Sequence, residues 1–323
     1  MPKNATIEDK LKASATLVNS FIEKLLESRR PEALYAAAKH IISAGGKRLR
    51  PYLVLKSCEL VGGDPDSAVP FAAALEVLHN FTLIHDDIMD NDSLRRGVST
   101  VHAQWGVPIA IASGDLLFAK VYQAMVEQAI KGSISPERTI SCIESVTEAS
   151  ISICEGQVMD ISFPNIKDVS ETDYISMVEE KTAALFKACA EIGALAGGGD
   201  LDEVVNLGLY ALKAGIAFQI VDDILGVTAD EETLGKPIGS DLREGKKTLI
   251  LIHALENASE VERSAIERVL GVYDASQSEI SAAEEALKIT GSIEYAKARA
   301  TEYAEEAKKA LASFPESVAK RDL

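Results

Sequence analysis

Two aspartate pairs stand in matching contexts 136 residues apart (222 − 86): Ile84-His85-Asp86-Asp87-Ile88-Met89-Asp90 and Ile220-Val221-Asp222-Asp223-Ile224-Leu225-Gly226. An Ile, both Asp and a second Ile recur in register. Each pair follows apolar text with helical spacing and precedes polar, loop-forming text. Asp86 and Asp90 are spaced i, i+4 and share one helical face, and Asp87 lies about 100° round from Asp86. Carboxylates ending a buried helix are costly unless cations neutralise them. Oxygen-only ligands suit a hard cation such as Mg²⁺, which keeps several waters and binds through a few carboxylates plus substrate phosphates. Two such helix ends could face each other across a cavity. A solvated acidic helix end explains one pair alone and explains two matching pairs poorly.

Cationic clusters follow the same order along the chain. Gly45-Gly46-Lys47-Arg48-Leu49-Arg50-Pro51 sets three cations beside a Gly-Gly turn. Arg offers bidentate contacts to phosphate, and Lys offers a mobile point charge. Arg95-Arg96-Gly97 lies just beyond Asp90; its cations either pair with the carboxylates or straddle a diphosphate. Lys236 and Gly245-Lys246-Lys247-Thr248 follow the second Asp pair, and Lys181-Thr182 is a weaker candidate. Glu76-x-x-His79 has the spacing used by di-iron carboxylate bundles, but that site needs a second copy, which the chain lacks. His79 is then a polar group at a cavity wall or a satisfied core histidine.

The elements that position these groups read as helices almost throughout. Apolar residues recur at helical spacing, strand-like alternation is nearly absent, and only 10 Pro and 21 Gly interrupt 323 residues. Turn signals fall at Val61 to Asp66, Lys131 to Pro136, Phe163 to Asn165, Gly197 to Asp200 and Gly235 to Gly239. The expected architecture is an all-α single domain over 1–323, a bundle of long helices around a central cavity. Pro70 through Leu83 is mostly uncharged and reads as a deep helix. The charged, Ala-rich text from about Glu256 onward reads as outer amphipathic helices.

No 18-residue apolar run lacks charge, so no membrane span is expected, and no signal core follows the N-terminus. Cys58, Cys142, Cys154 and Cys189 form no CxxC pair and read as reduced core thiols of a cytoplasmic protein. A net charge of −17 argues against nucleic acid as a partner. It also requires a phosphate site to gather its cations locally.

Taken in order, these residues closely resemble the trans-isoprenyl diphosphate synthase, or polyprenyl synthetase, family. The resemblance is greatest to its archaeal-type short-chain, geranylgeranyl-forming members. It rests on Gly-Gly-Lys-Arg-Leu-Arg-Pro (45–51), Asp-Asp-x-x-Asp (86–90), Arg95-Arg96-Gly97 and Gly156-Gln157-x-x-Asp160. It continues through Lys181-Thr182, Phe218-Gln219-x-x-Asp222-Asp223, Gly235-Lys236-x-x-Gly239-x-Asp241 and Gly245-Lys246-Lys247-Thr248. One departure is Gly226, where the family's second motif often ends in Asp.

The resemblance implies an isoprenoid-synthase fold and a homodimer. It implies head-to-tail condensation of isopentenyl diphosphate with dimethylallyl, geranyl and farnesyl diphosphates. By the same resemblance, Lys47, Arg50, His79 and Arg96 hold isopentenyl diphosphate. Asp86, Asp90 and Asp222 carry about three Mg²⁺ ions, for which Mn²⁺ substitutes, with Asp87 and Asp223 as supporting acids. Arg95, Lys181, Thr182, Gln219, Lys236 and Lys246 hold the allylic diphosphate, and Lys181 is counted with the catalytic set. One aromatic at Phe81 beside a small Thr82 resembles the C20-forming type, with farnesyl diphosphate or a mixed C15/C20 output as the alternative. A class I terpene cyclase leaves the cations at 47–50 unexplained. A non-catalytic subunit of a hetero-oligomeric synthase predicts degraded Asp motifs, and both are present.

Overall fold

The computed structural model describes residues 6–228 and 239–323, and these are almost entirely helical. Helices α1 (Ile7–Leu25), α2 (Glu32–Ser43), α3 (Leu49–Leu60) and α4 (Pro65–Met89) come first. A small hairpin, β1 (Leu94–Arg95) and β2 (Val98–Ser99), separates them from α5 (Val101–Trp105) and α6 (Val107–Lys131). Then follow α7 (Pro136–Ser162), α8 (Glu171–Val178), α9 (Ala184–Gly197) and α10 (Leu201–Thr228), with shorter helices to the C-terminus. Helix breaks fall on the turn signals at 61–66, 131–136, 163–165 and 197–200. The signal at 235–239 lies, except for Gly239, outside the described residues.

The chain divides into two compact units, residues 1–148, 188–208 and 311–323 in one and 149–187 and 209–310 in the other. In the first, α4 packs against α3 and α6. Asp64 starts α4 by accepting from the Asp66 N–H, and Pro65 occupies its first turn, where a missing N–H costs nothing. Ala68, Phe71, Leu75, Leu78 and Ile84 are fully buried or nearly so, as expected of a deep helix. The core of the second unit joins Val178, Ile216, Ile220, Ile224, Leu249 and Ile250.

One expectation needs correction: Cys154, on α7, is exposed and is not a core thiol. Pro65–Met89, Val107–Lys131 and Leu201–Thr228 are long and apolar enough, by length and composition, to cross a membrane. The most apolar window of α4 is 67% buried inside the fold, so packing accounts for most of its hydrophobicity. The hairpin β1–β2 is the one pair of strands among the described residues. Its central residues Arg96 and Gly97 have φ of 52° and 76°, the two positive values a tight two-residue hairpin turn requires.

Candidate active site

In the first unit, the 45–51 motif forms the turn between α2 and α3. Lys47 is exposed at its tip. Arg50 lies on the first turn of α3, and its Nη1 donates to His79 Nε2 on α4 at 3.2 Å. An imidazole nitrogen that accepts from a guanidinium is unprotonated. Accordingly burial, reinforced by Arg50 and Arg96, holds His79 well below the usual imidazole range. Arg96 reaches the same turn from the hairpin, donating to Gly45 O and, at 3.4 Å, to Ile41 O. Arg50, Arg96 and the neutral His79 thus gather at this turn, on which Lys47 also lies. Arg48, which sequence counts among these cations, is instead buried in an ion pair with Glu76 at 2.7 Å.

The acids of the first motif occupy the C-terminal end of α4. The helix dipole disfavours anions there, which increases the demand for a cation. Asp86 is half-buried, Asp90 is exposed and Asp87 is fully buried. Arg95 forms an ion pair with Asp87 and lies 3.7 Å from Asp92. Burial pushes the Asp87 carboxyl up to about 6 against the pull of Arg95. Its Oδ2 is buried without a hydrogen-bond partner among the described residues.

The second unit assembles the second motif. Asp222 and Asp223 fall within the last two turns of α10, again at a helix C-terminus. Thr182 Oγ1 donates to Gln219 Oε1 at 3.0 Å, and Gln219 Nε2 donates to Asp223 Oδ1 at 2.8 Å. The Tyr174 hydroxyl donates to Asp223 Oδ2 at 2.6 Å. Burial raises Asp223 to about 7 despite these two donors. Lys181 pairs with Asp160 and Lys246 with Glu244, the latter at 2.9 Å. Burial opposes the charge of Lys246, but Asp241 and Glu244 outweigh it and raise its pKa.

Local backbone geometry serves these contacts. Glu179–Ala183 is a π-helical turn, a form often found at functional sites, and it carries Lys181 and Thr182. Gly156 permits the approach of α7, since a Cβ there would lie 2.4 Å from Lys181 N. At Gly226 the neighbour is a side chain: a Cβ there would lie 2.8 Å from Asp241 Oδ2. An aspartate at 226 would place its carboxylate in the space that Asp241 already fills. Asp241, from a later segment, thus places a carboxylate beside the motif's last position.

Lys236 lies outside the described residues. Sequence reading missed Tyr174, although it precedes Lys181 by seven residues, a spacing that returns to the same helical face.

The donors fit Mg²⁺. Among the described residues no three His, Cys, Asp or Glu side chains converge as a ready-made ion site. Mg²⁺ does not require one, because it is held by one or two carboxylates, waters and substrate phosphates. Asp87 Oδ2 is a buried acceptor still to be satisfied, and Asp86 and Asp222 are carboxylates at helix ends that favour cations.

The polyprenyl synthetase family model matches residues 31–289. The geranylgeranyl diphosphate synthase of Saccharolobus solfataricus is 46% identical over 88% of this chain and 85% of its own. The crystal structure of geranylgeranyl pyrophosphate synthetase from Pyrococcus horikoshii superposes with a TM-score of 0.91 at 42% identity, covering 98% of this chain and 95% of that one. A polyprenyl synthase from Caulobacter crescentus, complexed with calcium and isoprenyl diphosphate, matches at 34% identity and a TM-score of 0.88, covering 100% and 96%. Other relatives are named as short-chain isoprenyl or geranylfarnesyl diphosphate synthases. The chain belongs to the polyprenyl synthetase family.

Proposed function

We propose that this trans-prenyltransferase condenses isopentenyl diphosphate with dimethylallyl, geranyl and farnesyl diphosphates and releases geranylgeranyl diphosphate as its main product. The observation that carries this reading is the sorting of charge within the first unit. The cluster of Lys47, Arg50, His79 and Arg96 is distinct from the acidic end of α4, where Arg95 is tied to Asp87. An enzyme acting on one diphosphate needs one anion site. An enzyme joining two needs a second that binds without metal.

Lys47, Arg50, His79 and Arg96 bind isopentenyl diphosphate through charge-assisted hydrogen bonds. Arg95, Lys181, Thr182, Gln219, Lys236 and Lys246 bind the allylic diphosphate. Asp86, Asp90 and Asp222 hold Mg²⁺, or Mn²⁺ in its place, supported by Asp87 and Asp223. Bound Mg²⁺ supplies positive charge that stabilises the departing diphosphate. The allylic C–O bond breaks, the isopentenyl double bond forms the new C–C bond, and a proton passes to the released diphosphate. The apolar body of α4 shelters the hydrocarbon from water.

The family match extends over both compact units, which supports one catalytic domain across 1–323. Exposed Ile111, Val126 and Ile130 on α6 support a homodimer, and four free cysteines support a reducing, cytoplasmic setting. The test is incubation of the pure protein with Mg²⁺, isopentenyl diphosphate and each allylic primer, followed by sizing of the products. A C20 product from all three primers is expected. A cyclic hydrocarbon, or no condensation, overturns the reading.

A further inference from the structure

The pair Glu76-x-x-His79 has only half its chemistry accounted for: His79 contacts Arg50, whereas Glu76 is 2% exposed in the body of α4 and remote from any metal motif. Its Oε1 accepts from Arg48 Nη1 at 2.7 Å and from Asn80 Nδ2 at 3.0 Å. Asn80 also donates to the Glu76 carbonyl at 2.7 Å, which fixes the amide against the same turn of helix.

Arg48 is spent on the same task. It is 4% exposed, in the left-handed conformation at φ 52°, and caps the start of α3. Its Nε donates to Asn19 Oδ1 at 3.1 Å, its Nη1 also to Gly45 O at 3.1 Å, and its Nη2 to Ile42 O at 2.7 Å. The planar fork is therefore committed to protein acceptors and stitches the turn between α2 and α3 onto α4. The Gly45 carbonyl that Arg48 holds is the one on which Arg96 rests.

We propose that Glu76 is a positioning residue for isopentenyl diphosphate, acting through Arg48 and the Gly45 carbonyl to seat Arg96 and the 45–50 turn. Glu76 touches no substrate. It holds Arg48, Arg48 holds the carbonyl, and the carbonyl sets the guanidinium that receives the diphosphate. A bare carboxylate here would repel that diphosphate, but enclosure in the Arg48 fork neutralises it. Its negative charge also favours the charged forms of Arg50 and Arg96, which burial opposes.

This inference rests on the reading of the cationic cluster as the isopentenyl diphosphate site, and the experiment separates the two. Steady-state kinetics with Mg²⁺ are measured for Glu76→Gln, Arg48→Lys, the double variant and Arg96→Ala, with thermal unfolding as a check on folding. Glu76→Gln keeps an acceptor but removes the charge, and Arg48→Lys keeps the charge but loses the fork, so a folding failure of one leaves the other informative. Each is expected to raise KM for isopentenyl diphosphate about tenfold, with kcat and the allylic KM within about threefold of wild type. The double variant is expected to cost no more than the larger single effect, because both act through one relay. Folded single variants with lower thermal stability and an unchanged KM for isopentenyl diphosphate overturn the proposal. Unchanged KM in Arg96→Ala overturns the site reading and the proposal with it.

Discussion

Arg95 and Arg96 are adjacent in sequence and diverge in structure: Arg95 pairs with Asp87 at the end of α4, while Arg96 rests on the Gly45 carbonyl of the opposite turn. The hairpin turn causes the divergence, since Arg96 is its first central residue and Arg95 ends β1. Two roles are expected. Arg96→Ala should mainly raise KM for isopentenyl diphosphate, and Arg95→Ala should mainly harm use of the allylic substrate. Loss of a charge-assisted contact costs about 1.5–3 kcal/mol, or roughly ten- to a hundred-fold in kcat/KM. Measuring both constants for both variants checks this. Equal, small effects on the two substrates would mean that the pair serves only the local fold.

The resemblance already gave these two arginines different diphosphates; the hairpin that parts them was not legible in the chain. Adjacent arginines after an acidic motif are compatible with one shared role, and the strands that separate them are only two residues long. The body of α4 was legible, because a Pro-started apolar run with helical spacing has few other fates. Asp241 beside Gly226 and Glu76 beside Arg48 were not, because each pair joins distant segments through the tertiary fold. The motifs therefore placed the chemistry, while the residues that hold it in place emerged only with packing.

Metal dependence should follow both acid clusters. Asp86→Ala and Asp222→Ala are each expected to abolish turnover, as is excess chelator with the wild type. Asp241 beside Gly226 adds a finer expectation. Asp241→Ala should raise the Mg²⁺ concentration for half-maximal rate about tenfold, the scale of losing one supporting ligand group. Gly226→Asp in that background should restore much of the loss, because the new carboxylate enters the vacated space. Mg²⁺ titrations of product formation test the swap, and a double variant no better than Asp241→Ala would rule it out.

His79 should act as a neutral acceptor. Its folded pKa is depressed by burial and by Arg50 and Arg96, so the imidazole stays uncharged as pH falls through the ordinary histidine range. The sign follows: as pH falls below the ordinary imidazole value the unfolded chain takes up this proton while folded His79 stays neutral, so stability declines from there down to the lowered folded pKa, and the bond from Arg50 survives until that lower range. KM for isopentenyl diphosphate should therefore show no His79-dependent inflection between about pH 6 and 8. His79→Gln, which keeps an acceptor, should stay within about fivefold of wild type. A wild-type inflection near pH 6.5 that vanishes in His79→Gln would show that the charged form matters.

Product length should be set at Phe81. The ring lies 4.7 Å from the His85 ring and 5.1 Å from Phe118 on α6, and Phe118 makes an edge contact with Tyr122 at 5.2 Å. Phe81 is thus braced from a second helix and is half-buried, one turn and a residue before Asp86. Thr82 is small and its hydroxyl donates to the His79 carbonyl at 2.8 Å, which turns its polar end into the helix. A braced aromatic resists displacement by a growing chain because packed interiors yield little. Phe81→Ala is therefore expected to shift products beyond C20, and Thr82→Phe to shift them toward C15 by adding a second ring. Chain length is read from extracted products after incubation with farnesyl diphosphate for the first variant and dimethylallyl diphosphate for the second. A folded Phe81→Ala enzyme that still stops at C20 would move chain-length control to other residues and leave Phe81 as a packing residue alone.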